Sequence, residues 1–285
     1  MGIFNEKGGV RMKGISKSVS VTSTIVRSLH QHNKTIFTVA DVQEIIPLGR
    51  ESVYKIMSQL RKKGMIDSIK PGKYILLPSH VEGGPYIENV WIVGQELVES
   101  KEYFFSHSSA MDLHDMLARP TNEIYITTPK RQSEKKISNF TFHFICTKEA
   151  NIWGIEETWV SQSDKVRCSD LERTILDCLQ RPALCGGIVE ISGGIWKQKD
   201  KLSSEKLIEY VERLGKDVVA KRLGFILEAL NISRRITVPF LRQYISKKPK
   251  YYLLDPTRSS DKKVKNSWRL IANVSPEELL AMTEV

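Results

Sequence analysis

Apolar residues in the first quarter of the chain recur every three or four positions in three stretches, then switch to alternation. Val21, Ile25, Val26 and Leu29 supply the stripe of a first helix. Val39, Val42, Ile45 and Ile46 do the same for a short second helix. Thr38 stands at its N-cap, with Asp41 three positions on to reach back to the open amides. Pro47 and Gly49 break that helix. Val53, Ile56, Met57 and Leu60 form one side of a third, which Gly64 is placed to end. MIDSI and KYILL then alternate as two strands, and Lys70-Pro71-Gly72-Lys73 suits the tight turn between them. The stretch before them, residues 1–18, is rich in Gly, Lys and Ser and reads as a flexible basic arm. Residues 19–80 read as one module.

Past Gly83-Gly84-Pro85 the pattern changes, which places a boundary near 79–88 and a larger domain over 86–285. KEYFFSHSSAMDLHDML predicts a helix beginning between Ser106 and Ser109, with Ala110, Leu113 and Leu117 buried. EIYITT, FTFHFICT and WGIEETWV alternate as strands, and PKRQSEKKISN reads as a polar, basic connection. In RCSDLERTILDCLQRPALCGG, Ser169 or Asp170 caps a helix that buries Leu171, Ile175, Cys178 and Leu179 and stops at Pro182. Arg173 and Asp177 stand four apart, a spacing that permits a same-face ion pair worth a few tenths of a kcal/mol if exposed. Helices follow over EKLIEYVERLG and DVVAKRLGFILEALN, and a further one over 234–246 is interrupted by Pro239. YYLLDP and WRLIANV read as short strands around the exposed loop SSDKKVKN. The expected fold class is α+β, or mixed α/β, without repeats.

Charge sharpens this division. The chain carries a net +10. Residues 1–80 hold 13 Lys/Arg against 5 Asp/Glu, whereas the rest is nearly balanced. A small basic module precedes a large neutral body, which favours a polyanion or an anionic surface as partner of the first part. With 41% hydrophobic and 27% charged residues the chain is globular in composition. No apolar run has the length of a membrane span, and the opening MGIFNEKGG lacks the apolar core of a signal peptide. The expectation is a cytoplasmic protein without a membrane partner. Cys146, Cys168, Cys178 and Cys185 form no Cys-x-x-Cys pair and read as reduced, structural thiols.

Three short helices and a basic-tipped hairpin resemble a winged helix-turn-helix. One helix fits the major groove, and its polar positions meet base edges. Arg50, Ser52, Tyr54, Lys55, Ser58 and Gln59 face DNA on this reading; Arg61, Lys62 and Lys63, late in the helix, and the wing residues Lys70 and Lys73 meet phosphates. Blander readings stand beside it. The 61–63 run solubilises any helix end, Tyr54 serves as a core or interface aromatic, and winged modules also dock proteins.

Together with that module, SDLERTILDCLQRPALCGGIVE at 169–190, AKRLGFILEAL at 220–230, YYLLDP at 251–256 and WRLIAN at 268–273 resemble the AbiEi-type antitoxin family of type IV toxin–antitoxin systems. The resemblance covers nearly the whole chain after its N-terminal arm. It implies a transcriptional autorepressor that binds repeats in its own promoter, with possible homo-oligomers assembled along them. It also implies a C-terminal domain that counters a separately encoded nucleotidyltransferase-like toxin, with direct contact left open. DNA contact then falls to Ser52, Lys55, Gln59 and the wing lysines, and antitoxin function to the region of Glu172, Arg173 and Asp177. No cofactor, metal or catalytic residue is implied.

The rival of a different class is a metal-dependent nuclease. Glu156, Glu157, Asp164, Asp170, Glu172 and Asp177 give acidic density near Lys165 and Arg167. The tight Asp…Glu-x-Lys spacing is missing, because Glu157 is followed by Thr158 and Trp159. The six histidines contain no metal-ligand pair, although His107 and His114 share a helical spacing. Gly186-Gly187 and Gly193-Gly194 lack the setting of a phosphate-binding loop, and the five tryptophans read as packing residues.

Overall fold

In the structure, a computed structural model describing residues 20–77, 89–232, 237–247, 250–259 and 264–282, the chain divides into two units, Met1–Pro85 and Tyr86–Val285. The expected arm at 1–18 and the whole 79–88 boundary lie outside the described residues.

The first unit runs α1 (Val21–Gln31), β1 (Ile36–Thr38), α2 (Val39–Ile45), α3 (Arg50–Lys62), β2 (Ile66–Lys70) and β3 (Lys73–Leu76). Thr38 and Asp41 form the reciprocal capping box that their spacing suggests: Thr38 Oγ1 accepts from the Asp41 amide and Asp41 Oδ2 accepts from the Thr38 amide. β1 escaped the sequence reading. Its three residues pair antiparallel with β3, Phe37 opposite Tyr74, giving a sheet in the order β1-β3-β2. A strand so short, whose partner lies beyond two helices, leaves no local periodicity to find. The stripe of α1 is also turned slightly from expectation: Thr22 is buried with Ile25 and Leu29, whereas Val21 is exposed. Val53, Met57 and Leu60 of α3 pack with Ile25, Phe37 and Val42, each burial stabilising by about 2 kcal/mol.

The second unit begins with α4 (Val90–Leu97), β4 (Phe104–Phe105) and α5 (Ser108–Leu113). β5 (Glu123–Thr128), β6 (Lys135–Ile137), β7 (Phe140–Cys146), β8 (Ile155–Trp159) and β9 (Lys165–Ser169) follow. They form a six-stranded mixed sheet in the order β6-β7-β5-β4-β9-β8. The polar connection expected before Phe140 therefore contains β6, which pairs antiparallel with β7 at the sheet edge, where Lys135 and Lys136 cost nothing. In α5 the buried apolar residues are Ala110 and Met111, beside the buried Ser108 and Ser109; Leu113 and Leu117 are only half-buried, and Met116 takes their expected place.

Helices dominate the remainder: α6 (Leu171–Gln180), α7 (Gly187–Lys197), α8 (Ser204–Leu214), α9 (Asp217–Ala229) and α10 (Thr237–Lys247). Last come β10 (Tyr252–Leu253), β11 (Val264–Lys265), β12 (Leu270–Ala272) and α11 (Pro276–Ala281). α7 was not expected, because its glycines lower helix propensity; burial of Ile188, Ile191 and Ile195 overrides them. Pro239 does not interrupt α10 but sits in its first turn, where a missing N–H costs no intrahelical bond. The architecture is mixed α and β, and no helix among the described residues is long and apolar enough to cross a membrane.

Candidate functional site

α3 has a buried side and an open side. Val53, Met57 and Leu60 are buried and Ile56 half-buried, while Arg50, Ser52, Tyr54, Lys55, Ser58, Gln59, Arg61 and Lys62 are exposed, as is Lys63 at the C-cap. The structure thus brings every sequence-selected residue of this helix to solvent. Tyr54 is not a core aromatic: it is 39% exposed, with the Arg50 guanidinium 5.7 Å from its ring centre. Arg61 pairs with Asp67 of β2 at 3.3 Å, an exposed contact of small energetic weight that links helix to hairpin. Lys70 and Lys73 stand in register across the hairpin turn, Lys70 exposed and Lys73 half-buried.

One residue of this face went unnoticed in the sequence. Glu51, Lys55, Ser58 and Lys62 follow one another at spacings of four, three and four, so they share the outward ridge of α3, and all are exposed. The Glu51 carboxylate has no hydrogen-bond or ion-pair partner among the described residues. Helical spacing alone was enough to find it.

The 169–190 segment is organised differently. Asp170 caps α6, accepting from the Arg173 amide (2.9 Å), and its second oxygen accepts from Lys206 Nζ (3.0 Å) and Tyr210 Oη (2.8 Å). Glu172 accepts from the Ser203 amide at the start of α8 (2.8 Å) and faces Lys206 (3.3 Å). Arg173 donates to Asp177 (2.9 Å), reaches the carbonyls of Asn151 and Trp153, and lies 3.8 Å from the Trp153 ring centre. Glu172, Arg173 and Asp177 are therefore brought together, but buried rather than presented. Burial pushes the Asp177 carboxyl above its ordinary range more than Arg173 draws it down, so this ion pair fixes position more than it adds stability. Lys206, by contrast, loses to burial less than it gains from Asp170, Glu172 and Tyr210, which together hold its ammonium well above the ordinary lysine range.

The other distinctive segments close on the same core. Arg222 of α9 donates to the carbonyls of Leu179 (2.7 Å) and Leu253 (2.9 Å), joining the end of α6 to β10. Asp255 accepts from the Ile188 amide (2.9 Å) in the first turn of α7. Gly187 makes room for that carboxylate: its φ is +89°, and a Cβ there would lie 2.8 Å from Asp255 Oδ2. The Trp268 ring lies against Gly224 of α9, and its indole N–H donates to Glu228 (2.6 Å).

The acids of the nuclease reading are dispersed. Glu156 and Glu157 are exposed on the edge strand β8, Asp164 accepts from Ser161 and Ser163, and the others belong to the α6 network. No group of three or more His, Cys, Asp or Glu among the described residues is placed to hold a metal ion. Cys168, Cys178 and Cys185 are buried free thiols and Cys146 an exposed one. Trp159 departs from the packing expectation: on edge strand β8 it is 62% exposed, with Lys165 Nζ 4.5 Å from its ring centre.

His107 and His114 bracket α5 as its N-cap and C-cap residues. His114 Nε2 meets the Ser169 carbonyl (2.7 Å). His107 is buried at the N-cap with φ +55°, its Nδ1 against Ser106 Oγ (2.9 Å), and burial together with Arg181 and Arg173 lowers its pKa to about 3. Beside it, a cleft of about 410 Å³ is lined by α5, the start of β5 and the turn before α7.

No family model matches the chain, and no curated protein does. Among solved structures it is similar to the crystal structure of the RV2827C protein from Mycobacterium tuberculosis. The TM-score is 0.65 at 15% identity, over 93% of this chain and 95% of that one. At this identity the likeness speaks to the fold alone.

Proposed function

We propose that the chain is a DNA-binding transcriptional autorepressor and the antitoxin of a type IV toxin–antitoxin system. On this reading the first unit is a winged helix-turn-helix: α3 enters the major groove and the β2–β3 hairpin is the wing. Ser52, Lys55, Ser58 and Gln59 read base edges, and Arg61, Lys62, Lys63, Lys70 and Lys73 hold phosphates. The observation that supports it most is the outward presentation of the entire polar face of α3, within residues 1–80 where 13 Lys/Arg stand against 5 Asp/Glu. Each phosphate contact releases counterions, so affinity falls with salt, by a log–log slope of about 0.9 per contact.

The antitoxin part rests on the sequence resemblance alone. The buried pairs of Glu172, Arg173 and Asp177 suit a role in holding the second unit's surface rather than touching a toxin.

The deciding experiment titrates the full chain and its Lys55→Ala/Gln59→Ala variant against the promoter of its own operon and a scrambled duplex. Specific affinity drops by about tenfold or more, since a good base contact is worth roughly 1–3 kcal/mol, while folding is preserved. Unchanged specific affinity would remove α3 from readout. Growth rescue on co-expression with an adjacent nucleotidyltransferase-like gene tests the antitoxin half; failure to rescue sinks it.

A further inference from the structure

The cleft beside His107 has walls of two kinds. Leu117, Ala183 and Leu184 form an apolar lip, and the polar lining includes Ser108, Arg119, Thr121, Glu123, Tyr125 and Glu190, with Thr121 Oγ1 accepting from the Glu123 amide (3.1 Å). These polar groups differ in what already engages them. Glu190 accepts from the Ala118 amide (2.9 Å), and Glu123 is hydrogen-bonded to the His143 ring. His143 in turn stacks on Tyr125, 4.9 Å between ring centres. The acceptors of the cleft therefore have partners inside the protein.

Its donors do not. Ser108 is buried, and its hydroxyl makes no hydrogen bond. Among the described residues, the Tyr125 phenol and the exposed Arg119 guanidinium likewise have no hydrogen-bond or ion-pair partner. A buried hydroxyl left unmet is uncommon in native proteins and marks a place where a missing group belongs. Burial, with Glu123 and Cys185 nearby, pushes the Tyr125 phenol's ionisation upward, so it stays an O–H donor at neutral pH. Two hydroxyl donors and a cation at the rim call for a ligand that brings acceptors and negative charge. The apolar lip calls for a compact carbon body, and a volume near 410 Å³ lies within the range of about 300–1,000 Å³ typical of small-molecule sites.

We propose that this cleft binds a small organic anion, with a carboxylate or phosphate head met by Ser108, Tyr125 and Arg119 and a planar or apolar body held against Leu117 and Leu184. The site lies wholly within the second unit and stands apart from the DNA-binding reading.

The test uses the full chain without DNA, with calorimetry and thermal melting against two anionic probes, benzoate and adenosine monophosphate. Benzamide and adenosine serve as their neutral counterparts. At least one anionic probe binds in about the millimolar range or tighter and raises the melting temperature, and its neutral counterpart binds about tenfold more weakly or not at all. The benzoate and nucleotide arms separate a carboxylate from a phosphate source. Ser108→Ala weakens the bound anion yet leaves the free protein's melting temperature unchanged or higher, because it deletes an unmet buried hydroxyl. Arg119→Gln, on the exposed rim, weakens the anion without affecting folding. The proposal is overturned if no anionic probe binds, if neutral counterparts bind equally well, or if binding survives both substitutions intact.

Discussion

Glu51 is an exposed acid on the same ridge of α3 as Lys55, Ser58 and Lys62. Its place in the first turn complements the helix dipole, which is worth about 0.3–1 kcal/mol. On the DNA-binding reading it has a second effect: a carboxylate repels phosphate everywhere and accepts only from exposed base amino groups, above all cytosine N4. Glu51→Gln should therefore tighten binding to scrambled duplex several-fold while relaxing selection at one base pair. Parallel binding-site selection with both proteins checks this, and an identical selected motif would leave the residue a helix-dipole partner alone. A second prediction concerns His107. Its folded pKa of about 3 lies below its ordinary 6.5, so below pH 6.5 the unfolded chain takes up a proton that the folded chain refuses. The stability held above pH 6.5 is thus lost progressively toward pH 3, with a slope approaching about 1.4 kcal/mol per pH unit from this group. Chemical denaturation across that range, compared with His107→Gln, should show the wild-type slope reduced in the variant.

At the scale of elements, α6 and α9 show how far a sequence pattern reaches. The Arg173–Asp177 spacing and the Asp170 cap were legible from helical geometry. Their burial was not, because Lys206, Tyr210 and Trp153 come from other parts of the chain. That difference changes the expected energetics from a few tenths of a kcal/mol to a buried charge left without its partner. Arg173→Met should destabilise the protein by about 3–5 kcal/mol, and adding Asp177→Leu should recover much of the loss; equilibrium unfolding of both variants reads this directly. Gly224→Ala makes a complementary case. A Cβ at that position would lie 2.1 Å from the Trp268 ring, so the indole must shift and its hydrogen bond to Glu228 with it. Overpacking of this kind costs roughly 1–3 kcal/mol or more, and the melting temperature should fall together with a change in tryptophan fluorescence.

For the molecule as a whole, the units Met1–Pro85 and Tyr86–Val285 each carry their own core, and the excess positive charge is concentrated in the first. The DNA-binding reading places nearly all non-specific duplex affinity in residues 1–85. Anisotropy titrations at several salt concentrations should give that fragment a slope close to the full chain's, and residues 86–285 little binding at any of them. Equal affinity of the larger fragment would put the interface elsewhere.

The sequence by itself determined the three N-terminal helices, the hairpin, the α6, α8 and α9 helices and the outward polar face of α3. Each is written in periodicity, caps and turn residues that act over a few positions. Tertiary structure alone decided that Glu172, Arg173 and Asp177 face inward, that β1 and β6 are strands, and that α7 forms despite its glycines. It also decided that Ser108, Arg119 and Tyr125 meet around one cleft. Burial and pairing depend on which distant segments fold back upon one another, and local spacing carries no record of that.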